Sequence, residues 1–264
     1  MKSKRIINRL GLILVFVAVA CGALCCSSPT GQAPAAAGGG ESAVALIAEA
    51  DKLYAEREDL ARLRAGITAL KRARGLEPGN YEAAWRLARS SYYLGAHTTD
   101  ESERDRSFRE GAAAGKAAVE AQAERPEGHF WLGANYGGSA QHSTLAGLTS
   151  VDDIIREMET VIKLDEGYQS GSAYMVLGQV YLQSPKMLGG DRQKAVETLE
   201  KGLRFGEQNA FLHLRLAQAY LAVNRNDDAR RQLDAIGNLK PSPDYLPEYK
   251  EAVAEAQKLR GNLP

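Results

Sequence analysis

The stretch that decides the fold is residues 210–241, AFLHLRLAQAYLAVNRNDDARRQLDAIGNLKP. In its first half a large residue, Leu216, is followed by a small one, Ala217, and three residues later by Tyr220. The second half carries apolar residues at the spacing of one helical face: Ala229, Leu233 and Ile236. Apolar residues three or four apart predict two amphipathic helices, and Pro241 ends the second one. The small residue lets the two helices approach closely, while leucine and tyrosine fill the seam between them.

The same pattern returns in earlier parts of the chain. It occurs at residues 132–136 (LGANY) and 177–181 (LGQVY), and residues 87–92 (LARSSY) carry the tyrosine one position later. These units resemble the tetratricopeptide repeat (TPR), a helix–turn–helix of 34 residues. Only the unit at 210–241 fits that length without extra residues.

The repeats predict an all-α fold, a TPR-like right-handed solenoid of about five helix pairs plus a C-terminal capping helix. The first pair, at 43–78, is degenerate, with three residues in suitable places: Tyr54, Leu70 and Ala73. The capping helix is predicted at 246–260, where it would cover the apolar face that the last pair leaves open. Pro78 and Pro126, like Pro241, are predicted to stop second helices, because proline cannot continue the hydrogen-bond ladder.

The N-terminus predicts export. Four basic residues precede an apolar run at 10–20 (LGLILVFVAVA) that is too short to span a bilayer. This combination predicts a secretory signal peptide at 1–20. Ala20 before Cys21 resembles the lipobox of bacterial lipoproteins, which predicts lipidation of Cys21; plain secretory cleavage without lipid is the alternative. Gly22, rather than an aspartate, after the cysteine favours the periplasmic side of the outer membrane.

Residues 21–42 predict a lipid-anchored flexible linker, because their small and polar composition buries too little apolar surface to fold. The repeat domain is therefore predicted at 43–264.

The chain has 33 basic and 33 acidic residues, but four of the basic ones lie in the signal peptide. The remainder is net acidic, which excludes a strongly basic nucleic-acid binder. No cysteine follows Cys26, so the repeats hold neither a disulfide framework nor a cysteine metal site.

Three stretches together form a more specific combination of residues: 129–137 (HFWLGANYG), 171–178 (GSAYMVLG) and 185–191 (PKMLGGD) followed by Ala195. This combination resembles one narrower family, the T-component lipoproteins of TRAP transporters. The resemblance implies a periplasmic lipoprotein of stacked helical repeats, associated with the substrate-binding protein of a tripartite ATP-independent transporter. It also implies an apolar channel or cleft through the domain and assembly into a homotrimer.

The repeat register places ten residues on the concave face that such repeats present to a partner. They are Trp85, Arg89, Tyr93, Phe130, Met175, Gln179, Phe211, Leu214, Gln218 and Leu221. The set is mostly apolar, whereas a groove for an acidic peptide tail would carry several Lys or Arg residues. It therefore predicts binding of a small hydrophobic ligand or of an amphipathic helix. A helix or loop of the same chain, or another subunit, is the alternative occupant.

Extra residues fall mostly between the two helices of a pair, at 96–107, 137–150 and 183–191. In a stacked solenoid such turns share one edge, and repeated insertions there are typical of a working surface. The alternative is tolerated drift, because longer surface loops change the free energy of folding little. The predicted loop contacts to a partner are Asn135, His142, Lys186 and Met187.

The sequence does not indicate enzyme chemistry. The turn at 189–191 lacks the Lys-Ser/Thr and the preceding strand of a P-loop, so Asp191 is interpreted as a helix N-cap. The acidic pairs at 152–153 and 227–228 favour helix starts, where carboxylates interact well with the helix dipole. The four histidines share no ligand spacing, and no nucleophile motif occurs. These observations predict a non-enzyme without catalytic residue, metal or cofactor; a hydrolase with an unrecognised site is the third hypothesis.

The functional prediction is a periplasmic lipoprotein scaffold that binds a partner protein, a small apolar ligand, or both. The predicted partner is the substrate-binding protein of a TRAP-type transporter or another envelope protein, with membrane contact through the lipid anchor and no nucleic acid. The alternative is a generic envelope assembly scaffold for pilus, secretion or cell-wall machinery.

Overall fold

The computed structural model describes residues 41–142 and 144–263. Its α-helices, numbered in chain order, are α1 (Ala43–Ala55), α2 (Leu60–Leu76), α3 (Tyr81–His97), α4 (Glu101–Ala121), α5 (Pro126–His142), α6 (Thr144–Leu164), α7 (Ser172–Gln183), α8 (Arg192–Leu203), α9 (Ala210–Ala222), α10 (Asn226–Ile236) and α11 (Leu246–Gly261). Two short 3-10 turns, Lys186–Leu188 and Pro243–Tyr245, precede α8 and α11. These two described ranges contain no β-strand.

The predicted all-α, TPR-like solenoid is confirmed. Helices α1 to α10 form five consecutive pairs, and each helix packs against its neighbours along the chain. The first helices of some successive pairs also contact each other, as α3 does α5 and α7 does α9. Helix α11 packs on α9 and α10, so it takes the place predicted for the capping helix at 246–260.

Short polar side chains begin most of the helices. The side chains that accept a hydrogen bond from a backbone N–H of the first turn are those of Ser42, Asp59, Asn80, Asp100, Asp191 and Asn209. Such caps satisfy N–H groups that have no partner within the helix. The predicted cap Asp191 is confirmed, because its Oδ1 accepts from the backbone N–H of Gln193 at 2.9 Å and of Lys194 at 3.0 Å.

The small residue of the repeat pattern lies where the two helices of a pair meet. A Cβ added to Gly178 would lie 2.4 Å from Leu199 Cγ of α8. One added to Gly133 would lie 2.5 Å from Met158 Cε of α6. The predicted close approach is therefore confirmed, and the side chains of Leu199 and Met158 fill the contact.

Glycines also mediate contact between consecutive pairs, which the repeat pattern did not indicate. Gly115 of α4 lies against the backbone of α5, and an added Cβ would be 2.8 Å from Leu132 Cα. Gly111, one turn earlier, is covered by the side chain of Asn135. The second helix pair therefore packs directly on the third through the two glycines of α4.

The segment 96–107, predicted as an insertion loop, is mostly helical. Helix α3 continues to His97, and α4 begins at Glu101. Asp100 caps α4, and its carboxylate accepts from the backbone N–H of Glu103 at 3.0 Å. The extra residues therefore lengthen two helices instead of forming a loop.

The segment 137–150 is helical too, contrary to the prediction, since α5 and α6 cover all of it that the structure describes. Gly138 faces α4, where an added Cβ would lie 2.2 Å from Cε1 of Phe108. This glycine therefore marks close helix packing and not a turn. Of the three predicted loops, only 183–191 is one, and it contains a short 3-10 turn.

Two local interpretations of the sequence are wrong. Pro126 does not stop α4, which ends earlier; it is the first residue of α5, where its missing N–H has no helical partner to lose. The acidic pair at 152–153 lies inside α6, where Asp153 pairs with Arg156 at 2.7 Å. The pair at 227–228 does lie in the first turn of α10, as predicted.

The predicted signal peptide at 1–20, Cys21 and the linker up to residue 40 lie outside the described residues. Gly40–Pro264 form one compact unit. Among the helices of residues 41–142 and 144–263, none is both long and apolar enough to cross a membrane.

Candidate functional site

A cavity of about 1030 Å³ lies on the inner side of the helix stack. Its lining comes mainly from the first helix of all five pairs, α1, α3, α5, α7 and α9, and from α11. In stacked repeats a small rotation from pair to pair turns one helix of each pair towards a common concave side. The volume is at the upper end of the range of about 300–1,000 Å³ that is typical of small-molecule pockets.

The middle of the cavity is apolar and aromatic. Phe130 and Trp131 of α5 stand edge to face with their ring centroids 5.0 Å apart, and the Tyr92 ring of α3 lies 5.7 Å from Trp131. Met175 of α7 and Phe211 of α9 are half-buried on the same lining. Contact with such a wall removes apolar ligand surface from water, which contributes about 25 cal/mol per Å². This part of the cavity therefore suits the apolar body of a ligand.

A second part of the lining is a cluster of paired charges. Arg86 and Arg89 of α3 each bind the carboxylate of Asp51 in α1 at 2.9 Å. The Arg89 guanidinium also lies over the ring of Tyr54, 3.7 Å from its centroid. The cluster therefore joins the first two helix pairs at the cavity wall and places guanidinium groups there.

The two ends of the repeat domain meet at the same cavity. Arg57, in the turn after α1, donates to both carboxylate oxygens of Glu248 in α11, at 3.0 and 2.6 Å, and to the backbone oxygen of Asp244 at 2.5 Å. Its buried guanidinium lies 4.9 Å from the ring centroid of Tyr54 and 5.5 Å from that of Tyr93. Helix α11 thereby closes the concave side against the first helix pair.

His97, the last residue of α3, makes a second contact with α11. Its Nε2 lies 2.7 Å from Oε1 of Glu251, and its Nδ1 lies 2.8 Å from the backbone oxygen of Tyr93. Both partners are acceptors, so both ring nitrogens must carry a proton to satisfy them. Burial alone lowers the pKa of His97, but the hydrogen bonds to Glu251 and Tyr93 and the Glu251 charge outweigh burial and raise it. These contacts therefore favour the imidazolium form of His97 opposite the carboxylate of α11.

The tyrosine hydroxyls of the lining are protonated groups. Burial raises the pKa of Tyr54 to about 12, and burial followed by the nearby carboxylates of Glu251 and Glu248 raises the pKa of Tyr93 as well. These hydroxyls therefore keep their protons at neutral pH. In the part of the chain that the structure describes, no group of three His, Cys, Asp or Glu side chains is arranged to hold a metal ion.

The predicted groove residues fall into two groups. Six of the ten line the cavity: Arg89, Tyr93, Phe130, Met175, Gln179 and Phe211. The four that do not are Trp85, Leu214, Gln218 and Leu221. Leu214 is fully buried in the core, and the Trp85 indole N–H donates to Glu82 at 2.9 Å. The cavity reaches along α9 only as far as Arg215, so the two later residues of that helix lie beyond it.

Asn135 is not a loop contact, contrary to the prediction. It lies in α5, is fully buried, and donates from Nδ2 to the backbone oxygens of Ala88 at 3.0 Å and Trp131 at 2.6 Å. Its side chain also occupies the space beside Gly111 of α4. The residue therefore joins three helices inside the stack.

The other three predicted loop contacts are accessible but lie outside the cavity lining. His142 is exposed at the end of α5, with its ring stacked on Phe108 at a centroid distance of 6.0 Å. Lys186 and Met187 belong to the 3-10 turn before α8, and Met187 is 90% exposed. Their role as partner contacts stays a prediction.

Several lining residues were not identified from the sequence. They are Tyr92 and Trp131 in the aromatic wall and Arg57, His97, Glu248 and Glu251 in the closing contact. The two aromatic doublets at 92–93 and 130–131 were a usable signal, because neighbouring helix residues point in directions about 100° apart. One ring can then pack in the core while the other reaches the cavity.

The chain matches the family model of the TRAP transporter T-component over residues 32–259. Among solved structures it is similar to a thermophilic TPR protein of Thermus thermophilus, with 22% identity, a TM-score of 0.57, and 79% of this chain and 99% of that chain covered. It is also similar to PilF of Pseudomonas aeruginosa, with 15% identity, a TM-score of 0.52, and coverages of 81% and 90%. At these identities both structures show the fold alone. No individually curated protein matches the chain.

Proposed function

Because the chain belongs to the TRAP transporter T-component family, we propose that it is a non-enzymatic scaffold of a TRAP-type uptake system whose cavity binds a small apolar ligand. The family and the TPR-like fold indicate a protein-interaction scaffold associated with such a transporter. The partner that we propose is the periplasmic substrate-binding protein of the same system. The observation that carries the ligand proposal is the cavity of about 1030 Å³ with its aromatic middle wall.

The chemistry of the lining suits an apolar body with at least one polar group. Phe130, Trp131 and Met175 supply the apolar wall. Gln179 and Arg89 supply hydrogen-bond donors on the same lining, and a few polar groups of this kind fix the orientation of a bound molecule. The ligand class is therefore a small, largely apolar molecule that carries a hydrogen-bond acceptor.

The loop at 183–191 supports the partner proposal. Pro185 and Leu188 line the cavity, while Met187 between them is 90% exposed. A binding protein that contacts Met187 would therefore sit at the rim of the cavity. Exposed methionine is an adaptable contact because its side chain is flexible and polarizable.

The proposed location rests on the sequence of the N-terminus. A signal peptide at 1–20 and a cysteine in lipobox-like context support lipid anchoring through Cys21 on the periplasmic side of the outer membrane. Assembly into a homotrimer is implied by the family resemblance and can be measured directly in the purified protein.

Two matched methionine substitutions test the function. The full chain is purified from membranes with wild-type sequence, with Met175→Glu and with Met187→Glu, and native mass spectrometry records retained ligand, oligomeric state and any bound binding protein. Met175→Glu should lower ligand occupancy about tenfold or more, because a carboxylate on an apolar wall must lose its hydration when the ligand binds. Met187→Glu should keep the ligand and weaken capture of the binding protein.

A wild-type protein that retains no ligand and captures no binding protein from an envelope extract would contradict the proposal. Capture of pilus, secretion or cell-wall assembly proteins in place of the binding protein would support the generic scaffold instead. Equal ligand loss in both methionine variants would show that the ligand does not lie in the cavity.

A further inference from the structure

Helix α11 is attached to the rest of the molecule in two different ways. On α9 and α10 it is held by packing, with Ala252 and Ala256 buried in the contact region. The N-terminal helix pairs meet it through charged side chains, principally those of Glu248 and Glu251. The contact with α9 and α10 thus has an apolar seam in addition to the ion pairs of Glu255 with Arg215 and of Arg260 with Asp234, whereas the contact with the N-terminal pairs depends mainly on ion pairs.

The ion pairs fix the position of α11 against the N-terminal helix pairs but contribute little to the free energy of that contact. Arg57 is only 3% exposed, whereas the Glu248 side chain keeps 28% exposure, so water reaches one partner of the pair. A buried pair gives little net stabilisation relative to apolar packing, because both charges lose hydration when it forms. The additional pair between Lys250 and Glu58, at 3.2 Å, is exposed and contributes little. The closing contact is therefore specific and easily reversed.

Two of these contacts, Arg57 with Glu248 and His97 with Glu251, also form part of the cavity wall. Each helix pair packs on its neighbours in the stack, independently of this contact. Separation of α11 from the first two pairs would therefore open the wall while every pair keeps its own core. An opening at this place would widen the access of solvent and ligand to the aromatic middle of the cavity.

We propose that these four side chains form a releasable clasp, which opens to admit ligand and closes over it. The clasp consists of Arg57 and His97 on the N-terminal side and Glu248 and Glu251 on α11. The proposal rests on the proposed function, because it assigns to the cavity a ligand that must enter and leave. In the open state α11 stays on α9 and α10 and moves away from the first two helix pairs.

Distance measurement between two spin labels tests the movement. The full chain carries Cys21→Ser, Cys25→Ser and Cys26→Ser, which removes every native thiol. Arg62→Cys on α2 and Ala254→Cys on α11 then introduce labels at exposed positions on the two sides of the clasp. Pulsed electron spin resonance gives the distribution of distances between them. The intact clasp should give one narrow distribution.

Glu248→Gln removes the charge from the clasp with little change of shape. We expect a second, longer distance, and uptake of anilinonaphthalene sulfonate in stopped flow about tenfold faster or more, since a buried cation without its partner disfavours closure. Glu58→Gln is the matched control, because it removes one carboxylate from the exposed pair with Lys250 between the same two parts of the molecule, and Glu58 does not line the cavity. It should change neither reading. A wild-type distance distribution and uptake rate in Glu248→Gln would overturn the clasp.

Two further readings keep the clasp and the ligand role separate. If circular dichroism shows that Glu248→Gln does not fold, Glu251→Gln replaces it, because the Glu251 side chain is 40% exposed and its loss perturbs the core less. If the wild-type protein does not take up the probe, the proposed ligand role fails. The label distances then decide the clasp alone: a longer distance supports it, and an unchanged one overturns it.

Discussion

Gly115→Ala should destabilise the protein at the contact between the second and third helix pairs. The added Cβ would lie 2.8 Å from Leu132 Cα, 2.9 Å from Leu132 N and 3.0 Å from Leu132 Cβ. Because two of these are backbone atoms, no side-chain rotation relieves the clash, and α4 and α5 must move apart. Overpacking of this kind costs about 1–3 kcal/mol, while alanine in a helix gains about 1 kcal/mol over glycine. Because the clash is with backbone atoms, the overpacking cost falls in the upper half of that range, about 2–3 kcal/mol, and the expected net loss of stability is about 1–2 kcal/mol.

Thermal unfolding followed by circular dichroism measures this loss. A domain of this size loses about 2–4 °C in melting temperature per kcal/mol, so the melting temperature of Gly115→Ala should fall by about 2–8 °C. Gly75→Ala in α2 is the matched control, because an added Cβ there meets nothing within 4 Å. It should keep or raise the melting temperature. If Gly115→Ala is as stable as Gly75→Ala, the helices do not meet through their backbones as described.

His129 lies 2.6 Å from Glu157 through Nδ1, and this hydrogen bond is the main cause of its raised pKa. The stability that this hydrogen bond contributes to the folded protein is fully present below the pKa of histidine in the unfolded chain. It is lost as pH rises through the raised pKa of His129 in the folded protein. The denaturation midpoint of the wild type should therefore exceed that of His129→Gln by more at about pH 5.5 than at about pH 8.5, and equal differences would contradict this. Asn135→Ala removes the hydrogen bond that Nδ2 donates to the Ala88 carbonyl of α3 and leaves a cavity at a fully buried position, which should lower the free energy of unfolding in urea by about 1–3 kcal/mol; an unchanged midpoint would contradict the contact. Cys21→Ser should move the protein from the membrane to the soluble fraction and abolish its acyl mass, whereas Cys25→Ser should do neither; membrane retention of Cys21→Ser would rule out the anchor.

The pairing of helices could be predicted because it depends on spacing within one short segment. The pattern at 210–241 fixes which face of α9 meets α10, and the glycines at 133 and 178 repeat that geometry. Helix ends were harder to predict where a polar segment suits both a loop and an exposed helix. At 96–107 the choice is made by the cap at Asp100, and at 137–150 by the contact of Gly138 with another helix.

The cavity could be predicted only in part. Concave positions such as Met175 and Phe211 follow from the repeat register, because the first helix of each pair faces inward. The closing contact of Arg57 with Glu248 could not be predicted in this way. Each helix pair is rotated slightly relative to the one before it, and the sum of these rotations over five pairs determines whether α11 reaches the first pair. The prediction of Asn135 as a loop contact was wrong for a similar reason. Its hydrogen-bond partner is a backbone carbonyl of another helix pair, and no side-chain pattern in the sequence identifies such a partner.

The contact of Arg57 with Glu248 joins residues 191 positions apart. Most other contacts of the stack lie within a helix pair or between neighbours, so each pair can form as soon as its own residues have emerged. The end-to-end contact has to wait for the last helix, and closing so long a loop is entropically unfavourable until the intervening pairs are in place. The cavity wall that α11 supplies is therefore the last part of the described fold to form. A chain cut before α11 would keep its stacked helices and lack the part of the cavity wall that Glu248 and Glu251 supply.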